Sequence, residues 1–232
     1  RERFQRLAGK TLPVSFGTFH SVFFMMLRHA YGYRAENILP ESRKYDMIRE
    51  ILYDRRLDAE DDGDLIRSVI QEISLVKGQM ISLDYYHSSS CGDEVFREIY
   101  EAYEKKLHQN RWIDFDDILI YTYELLKERE DIRAAWQQRF PYILIDEFQD
   151  TSGMQWKNFR PLVVNSLSEG YRTMIVGDVK QSIYRWRNGD WSLLANEVER
   201  QFSSLGVNTV ILKNNWRSAP EIVNFNNTFF EK

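Results

Sequence analysis

A chain of 232 residues in which 43% are AVILMFWYC has ample apolar material for a packed core, which excludes intrinsic disorder. Its 35 acidic residues against 31 basic ones give a formal charge of −4, so a histone-like polybasic binder is excluded and any nucleic-acid site must be a local patch. One cysteine, Cys91, and four scattered histidines provide neither a disulfide framework nor a cysteine-rich zinc site, and they fit a reducing, cytoplasmic setting.

The opening run Arg1-Glu2-Arg3-Phe4-Gln5-Arg6-Leu7 is charged and helix-like, carries no initiator methionine or signal-peptide pattern, and reads as part of a longer chain. Val14 to Phe16 alternates like a short strand, after which Phe19, Val22, Phe23, Met26, Leu27 and Ala30 recur at helical spacing. From about Tyr31 to Phe140 the period is helical: Ile48, Ile51 and Leu52, then Ile66, Val69, Ile70 and Ile73, then Phe96, Ile99, Tyr100, Tyr103 and Leu107. The acidic run Asp58 to Asp64 and the polar run Ser88 to Gly92 read as solvated connectors within this all-α block. Asp114 is a candidate cap for a helix carrying Phe115, Ile118, Leu119, Thr122, Leu125 and Leu126. The longest apolar stretches, such as Val22 to Leu27 and Tyr142 to Ile145, fall far short of the roughly 20 residues that span a bilayer, so a soluble protein with no membrane partner is expected.

After Pro141 the texture changes. Tyr142 to Ile145, Thr173 to Val176 and Thr209 to Leu212 are short apolar runs, each leading into polar residues and then a helical pattern. Strands alternating with helices predict an α/β fold with a parallel sheet, buried on both faces, whose ligands sit at the carboxyl ends of the strands. All three ends carry polar clusters. Asp146 and Glu147 are adjacent carboxylates delivered by an apolar strand, a pattern suited to holding a hydrated Mg²⁺ on a nucleotide and orienting a water, although acidic residues also end strands as helix caps. Gln181 follows the second strand closely, where its amide can bond a terminal phosphate, and Lys180, Arg185 and Arg187 interleave with Tyr184 and Trp186 as phosphate-pairing cations among base-stacking rings. Trp216 and Arg217 precede Ser218, which with Glu221 forms a capping-box pattern predicting a helix start. Arg217 there suits a γ-phosphate contact and Trp216 a stack on a purine.

Taken in order, these clusters resemble the motor motifs of UvrD/Rep/PcrA-like superfamily-one DNA helicases, a family that includes RecB- and AddA-type motors. Asp146-Glu147-Phe148-Gln149-Asp150 resembles the Walker B box, Val176-Gly177-Asp178 through Gln181 to Arg187 resembles motif III, and Asn215-Trp216-Arg217-Ser218 resembles motif IV. Gly17-Thr18-Phe19-His20-Ser21 looks like motif Ib, and Asp114-Phe115-Asp116-Asp117 looks like the box closing a helical insertion. The resemblance implies a partial RecA-like motor domain: residues 1–30 and 141–232 as its two parts, with 31–140 as a large all-α insertion. It further implies ATP-driven movement on single-stranded DNA, or on duplex with a single-stranded tail, with 3′-to-5′ polarity, in DNA repair or recombination. Under that resemblance Asp146 binds Mg²⁺, Glu147 is the catalytic base, Gln181 senses and Arg217 binds the γ-phosphate of ATP, and Trp216 stacks on adenine. Thr18, His20, Tyr184, Trp186 and Arg187 contact DNA.

The departures from the family pattern matter more than the matches, and the largest is the absence of a phosphate-binding loop. Trp216 stands where tyrosine is usual, and Asn188-Gly189-Asp190 replaces Gly-Ala-Asp. Features of both the UvrD/PcrA and RecB/AddA branches occur. No Gly-x-x-x-x-Gly-Lys-Ser/Thr loop is present, because Gly9-Lys10-Thr11 has Phe4 at the first-glycine position. These residues alone are therefore expected to be inactive, and the alternative reading is a catalytically inert DNA- or protein-binding module on a motor scaffold.

Overall fold

The computed structural model describes residues 2–54, 63–183 and 188–230. Helices α1 (Glu2–Ala8), α2 (Phe19–Tyr31), α3 (Glu41–Asp54), α4 (Gly63–Gln79), α5 (Asp93–Asn110), α6 (Phe115–Glu128) and α7 (Glu130–Arg139) precede strand β1 (Ile143–Ile145). Then come α8 (Gly153–Ser168), β2 (Thr173–Ile175), α9 (Val198–Phe202) and α10 (Pro220–Phe230). The two strands pair in parallel with Ile143 opposite Thr173, Leu144 opposite Met174 and Ile145 opposite Ile175. The α/β class therefore holds in a strongly helical form, and the block between Tyr31 and Phe140 is helical as its periodicity predicts.

Two apolar cores organise the chain. In the first, α2 contributes Phe23, Met26 and Leu27, spaced to fall on one face, and they meet Leu119, Leu125 and Leu126 of α6, Ile143 and Ile145 of β1, and Phe159 and Leu162 of α8. Helix α2 begins where the Thr18 hydroxyl accepts the Ser21 N–H, and it stops at Gly32, whose φ of 68° is the left-handed cap glycine tolerates best. In the second core α3, α4 and α5 pack Ile48, Ile51, Ile73, Phe96, Ile99 and Tyr103 together. The cores are tied by the backbone between Asn37 and Ile113, where Leu39 N–H donates to Ile113 O at 2.8 Å and Ile113 N–H to Asn37 O at 2.8 Å.

Three strand expectations need correction. Val14 to Phe16 and Thr209 to Leu212 join no ladder among the described residues, and Val210, Ile211 and Leu212 lie exposed. Apolar, β-branched composition favours extended backbone, but a strand exists only where a neighbour takes its N–H and C=O groups. The sheet is also not buried on both faces among the described residues: Ile143 and Ile145 face the first core, whereas Leu144 and Met174 remain 69% and 59% exposed.

Candidate active site

At the carboxyl end of β1 the backbone turns sharply. Glu147 takes φ 53°, a left-handed conformation uncommon for a residue with a Cβ, and the surrounding contacts account for it. Phe148 must reach the core, where it is fully buried with its ring edge on Trp156, and its N–H donates to Val176 O at 3.0 Å. The left-handed residue reverses the chain in one step, so the ring goes inward while the Glu147 carboxylate stays outside. Asp146 is exposed, and its Oδ1 accepts the Glu147 N–H at 3.0 Å.

The turn after β2 is bonded to the first. Gln149, 2% exposed, donates from Nε2 to Glu147 Oε2 at 2.7 Å and accepts the Asp178 N–H on Oε1 at 3.1 Å. Its backbone oxygen accepts the Ser182 hydroxyl at 3.1 Å. Gly177 makes this approach possible: a Cβ there would lie 2.7 Å from Gln149 Oε1 and 2.8 Å from Leu194 Cδ2. Asp178 caps the turn Val179–Gln181 by accepting the Lys180 N–H, and its other oxygen accepts Gln181 Nε2 at 3.0 Å. These two bonds hold the Asp178 carboxyl below the ordinary range. Asp150 moves the opposite way, pushed up by burial and then by the Glu147 carboxylate, and its Oδ1 is buried without a hydrogen-bond partner among the described residues.

The structure thus brings Asp146, Glu147 and Gln181 onto two joined turns. It does not join Trp216 and Arg217 to them: among the described residues no hydrogen bond or ion pair links either side chain to the Glu147 turn, and Trp216 is 90% exposed. The predicted capping by Ser218 is also replaced. Asn215 Oδ1 accepts the N–H groups of Arg217 and Ser218 at 2.9 and 3.1 Å, and α10 begins at Pro220, a residue whose missing N–H and fixed φ suit the first helical turn. Thr18 and His20 sit at the start of α2, where the His20 ring meets the edge of Phe115 at 5.5 Å. Burial lowers the His20 pKa, opposed by Asp116 and a bond to the Phe115 backbone. Tyr184, Trp186 and Arg187 lie outside the described residues, as do residues 58–62 of the acidic run.

A second acidic cluster is entirely different in setting. Asp114 caps α6 in a reciprocal box with Asp117, as its position predicts, but both are only 1% exposed and two lysines meet them. Lys77 Nζ lies 2.5 Å from Asp117, 3.1 Å from Asp114 and 2.8 Å from Glu104, and Lys44 Nζ lies 3.4 Å from both Asp114 and Asp116. Burial opposes ionisation of Asp114, but Lys77 and then Lys44 outweigh it and hold that carboxyl low. Burial and the Asp114 charge push Asp117 up to about 7. A sequence signal for the lysines exists, since Lys44 and Lys77 continue the apolar stripes of α3 and α4 four residues from Ile48 and Ile73. The Ser88 to Gly92 loop is likewise anchored, with Ser89 and Ser90 hydroxyls donating to buried Glu72.

The match to a family model settles the relationship: residues 1–202 match the UvrD/REP helicase N-terminal domain. The chain belongs to the UvrD/REP helicase family. Within that family it is 30% identical over 231 residues to the ATP-dependent DNA helicase PcrA of Bacillus subtilis, covering 96% of this chain and 30% of that protein. Identity to PcrA of Leuconostoc citreum is also 30%, over 233 residues, 96% of this chain and 30% of that protein. The exonuclease/helicase protein RexA of Streptococcus pneumoniae is 31% identical over 170 residues, 69% of this chain and 14% of that protein. The chain thus spans less than a third of the length of these curated relatives.

Among the described residues of this UvrD/REP family member no group of three or more His, Cys, Asp or Glu side chains forms a metal cage, and no helix is long and apolar enough to cross a membrane. Mg²⁺ bound with a nucleotide needs no such cage, because it keeps waters and uses one or two carboxylates plus phosphate oxygens. Asp146, exposed and with one oxygen uncommitted among the described hydrogen bonds, fits that requirement.

Proposed function

We propose that this chain supplies the ATP-hydrolysing residues of a RecA-like motor domain, residues 1–30 and 141–232 with an insertion over 31–140, in an ATP-dependent DNA helicase. The complete protein moves 3′-to-5′ on single-stranded DNA, or on duplex with a single-stranded tail, in cytoplasmic DNA repair or recombination. The observation that carries this reading is the Glu147 carboxylate held at the carboxyl end of a parallel strand pair and linked through Gln149 to the turn bearing Gln181. Its relatives' description as ATP-dependent DNA helicases supports it.

In this reading Asp146 would hold Mg²⁺, which supplies charge neutralisation for the β- and γ-phosphates when ATP is bound. Glu147 orients a water and accepts its proton. Gln181, held by Asp178 through one N–H, donates its other N–H to a γ-phosphate oxygen, Arg217 adds charge stabilisation once it reaches the cleft, and Trp216 stacks on adenine. Thr18 and His20 border the DNA backbone, and Tyr184, Trp186 and Arg187 carry bases and phosphates past the motor.

Anisotropy titrations of a single-stranded oligonucleotide on the complete protein, repeated over several salt concentrations, test the DNA part. Trp186→Ala is expected to cost about 1–3 kcal/mol with little change in salt dependence, one stacked base being worth that much. Arg187→Ala is expected to lower the slope of log affinity against log salt by about 0.7, one phosphate contact on a single strand. Unchanged DNA affinity in Trp186→Ala, together with lost thermal stability, would make Trp186 a packing residue. The absence of a Gly-x-x-x-x-Gly-Lys-Ser/Thr loop from these 232 residues favours the inert-module reading for the isolated segment. The segment by itself is expected to release no phosphate from ATP, and DNA-stimulated release abolished by Glu147→Gln would overturn that expectation.

A further inference from the structure

Gln149 has an amide with both ends committed, one to Glu147 and the other to the Asp178 N–H. Its orientation follows from the partners: a carboxylate only accepts and a backbone N–H only donates, so Nε2 must face Glu147 and Oε1 must face Asp178. The space is fixed as well, since Gly177 leaves no room for a Cβ beside Oε1 and the side chain is buried away from competing water. An amide of this length offers a donor and an acceptor together without depending on pH.

We propose that Gln149 is a positioning residue for hydrolysis, setting the Glu147 carboxylate and the Gln181 amide through one hydrogen-bond chain. The chain runs from Glu147 to the Gln149 amide, to the Asp178 N–H, and from the Asp178 carboxylate to Gln181 Nε2. The inference rests on the reading of Glu147 as the base. Without the Gln149 amide, the Glu147 side chain is free to leave the position its left-handed backbone aims it toward, and the Asp178 N–H loses its acceptor. The charged groups around the chain are Asp146 and Asp150 on the Glu147 turn and Asp178 and Lys180 on the turn after β2. Asp190, whose N–H donates to Thr151 O, has its own carboxylate occupied by Ser192.

The test uses steady-state ATP hydrolysis by the complete protein with saturating single-stranded DNA. Gln149→Met, which removes both polar ends at similar volume, is expected to lower kcat about tenfold or more with the KM for ATP within about twofold, because the base loses its support while nucleotide binding does not. A merely structural role for Gln149 would lower the melting temperature and leave kcat of the folded protein unchanged, so thermal denaturation is read alongside. An unchanged kcat in Gln149→Met, or a loss confined to KM, overturns the positioning role. Glu147→Gln separates the two levels: normal turnover there overturns the base assignment beneath the proposal, whereas lost turnover there with normal kcat in Gln149→Met overturns the role of Gln149 alone.

Discussion

Two acidic boxes of this chain look alike in sequence and do opposite work in the structure. Asp114-Phe115-Asp116-Asp117 lies under helices α3, α4 and α5, where Lys44, Lys77 and Tyr103 meet its buried oxygens. Asp146-Glu147 sits at an exposed turn with no lysine or arginine ion-paired to either carboxylate among the described residues. A carboxylate surrounded by fixed cations is a joint between helices, and one left open on a braced backbone is available to a ligand. Burial and counter-charge, not residue type, distinguish them.

That contrast breaks first at Glu147. In the complete protein Glu147→Gln is expected to reduce ATP turnover about 10²–10⁴-fold, the usual contribution of a positioned base, while leaving ATP binding and thermal stability near those of the parent. Phosphate-release rates and nucleotide titration check this, and normal turnover would remove the chemical role from the exposed box. The reverse holds at the buried box: Lys77→Met is expected to destabilise the fold by about 3–5 kcal/mol, because Asp114, Asp117 and Glu104 lose their shared cation. Chemical denaturation measures that loss, and a change within about 0.5 kcal/mol would mean that the lysine is not needed to balance the cluster.

Asp117 sharpens the same point through pH. Its folded-state pKa, raised to about 7 from an ordinary 3.8, means the folded protein holds a proton that the unfolded chain releases over that window. Its contribution to stability is therefore greatest below about pH 4 and is lost as pH rises toward about 7. Asp117→Asn is expected to flatten this part of the stability profile, and an identical pH slope in variant and parent would locate the titration elsewhere. The smallest effect is expected at Thr18, whose hydroxyl caps α2: Thr18→Ala should cost about 1 kcal/mol of stability. A loss of DNA affinity beyond what that destabilisation explains would support its additional place beside DNA.

Much of this protein was legible in its sequence because periodicity and local capping are short-range properties. Spacing alone locates the helical block between Tyr31 and Phe140, Asp114 marks the start of α6, and the order of motifs points to the family without any contact. Strand pairing was legible only in part, since Thr209 to Leu212 has the composition of a strand yet joins no ladder among the described residues, while β1 and β2 pair. Tertiary structure decided that Lys44 and Lys77 turn inward onto Asp114, and that Gln149, besides holding Glu147, reaches Asp178, 29 positions further along the sequence. The physical reason is common to these cases: a side chain's own chemistry fixes what it can bond, but which partner arrives, and whether water remains to compete, depends on elements that only packing brings together.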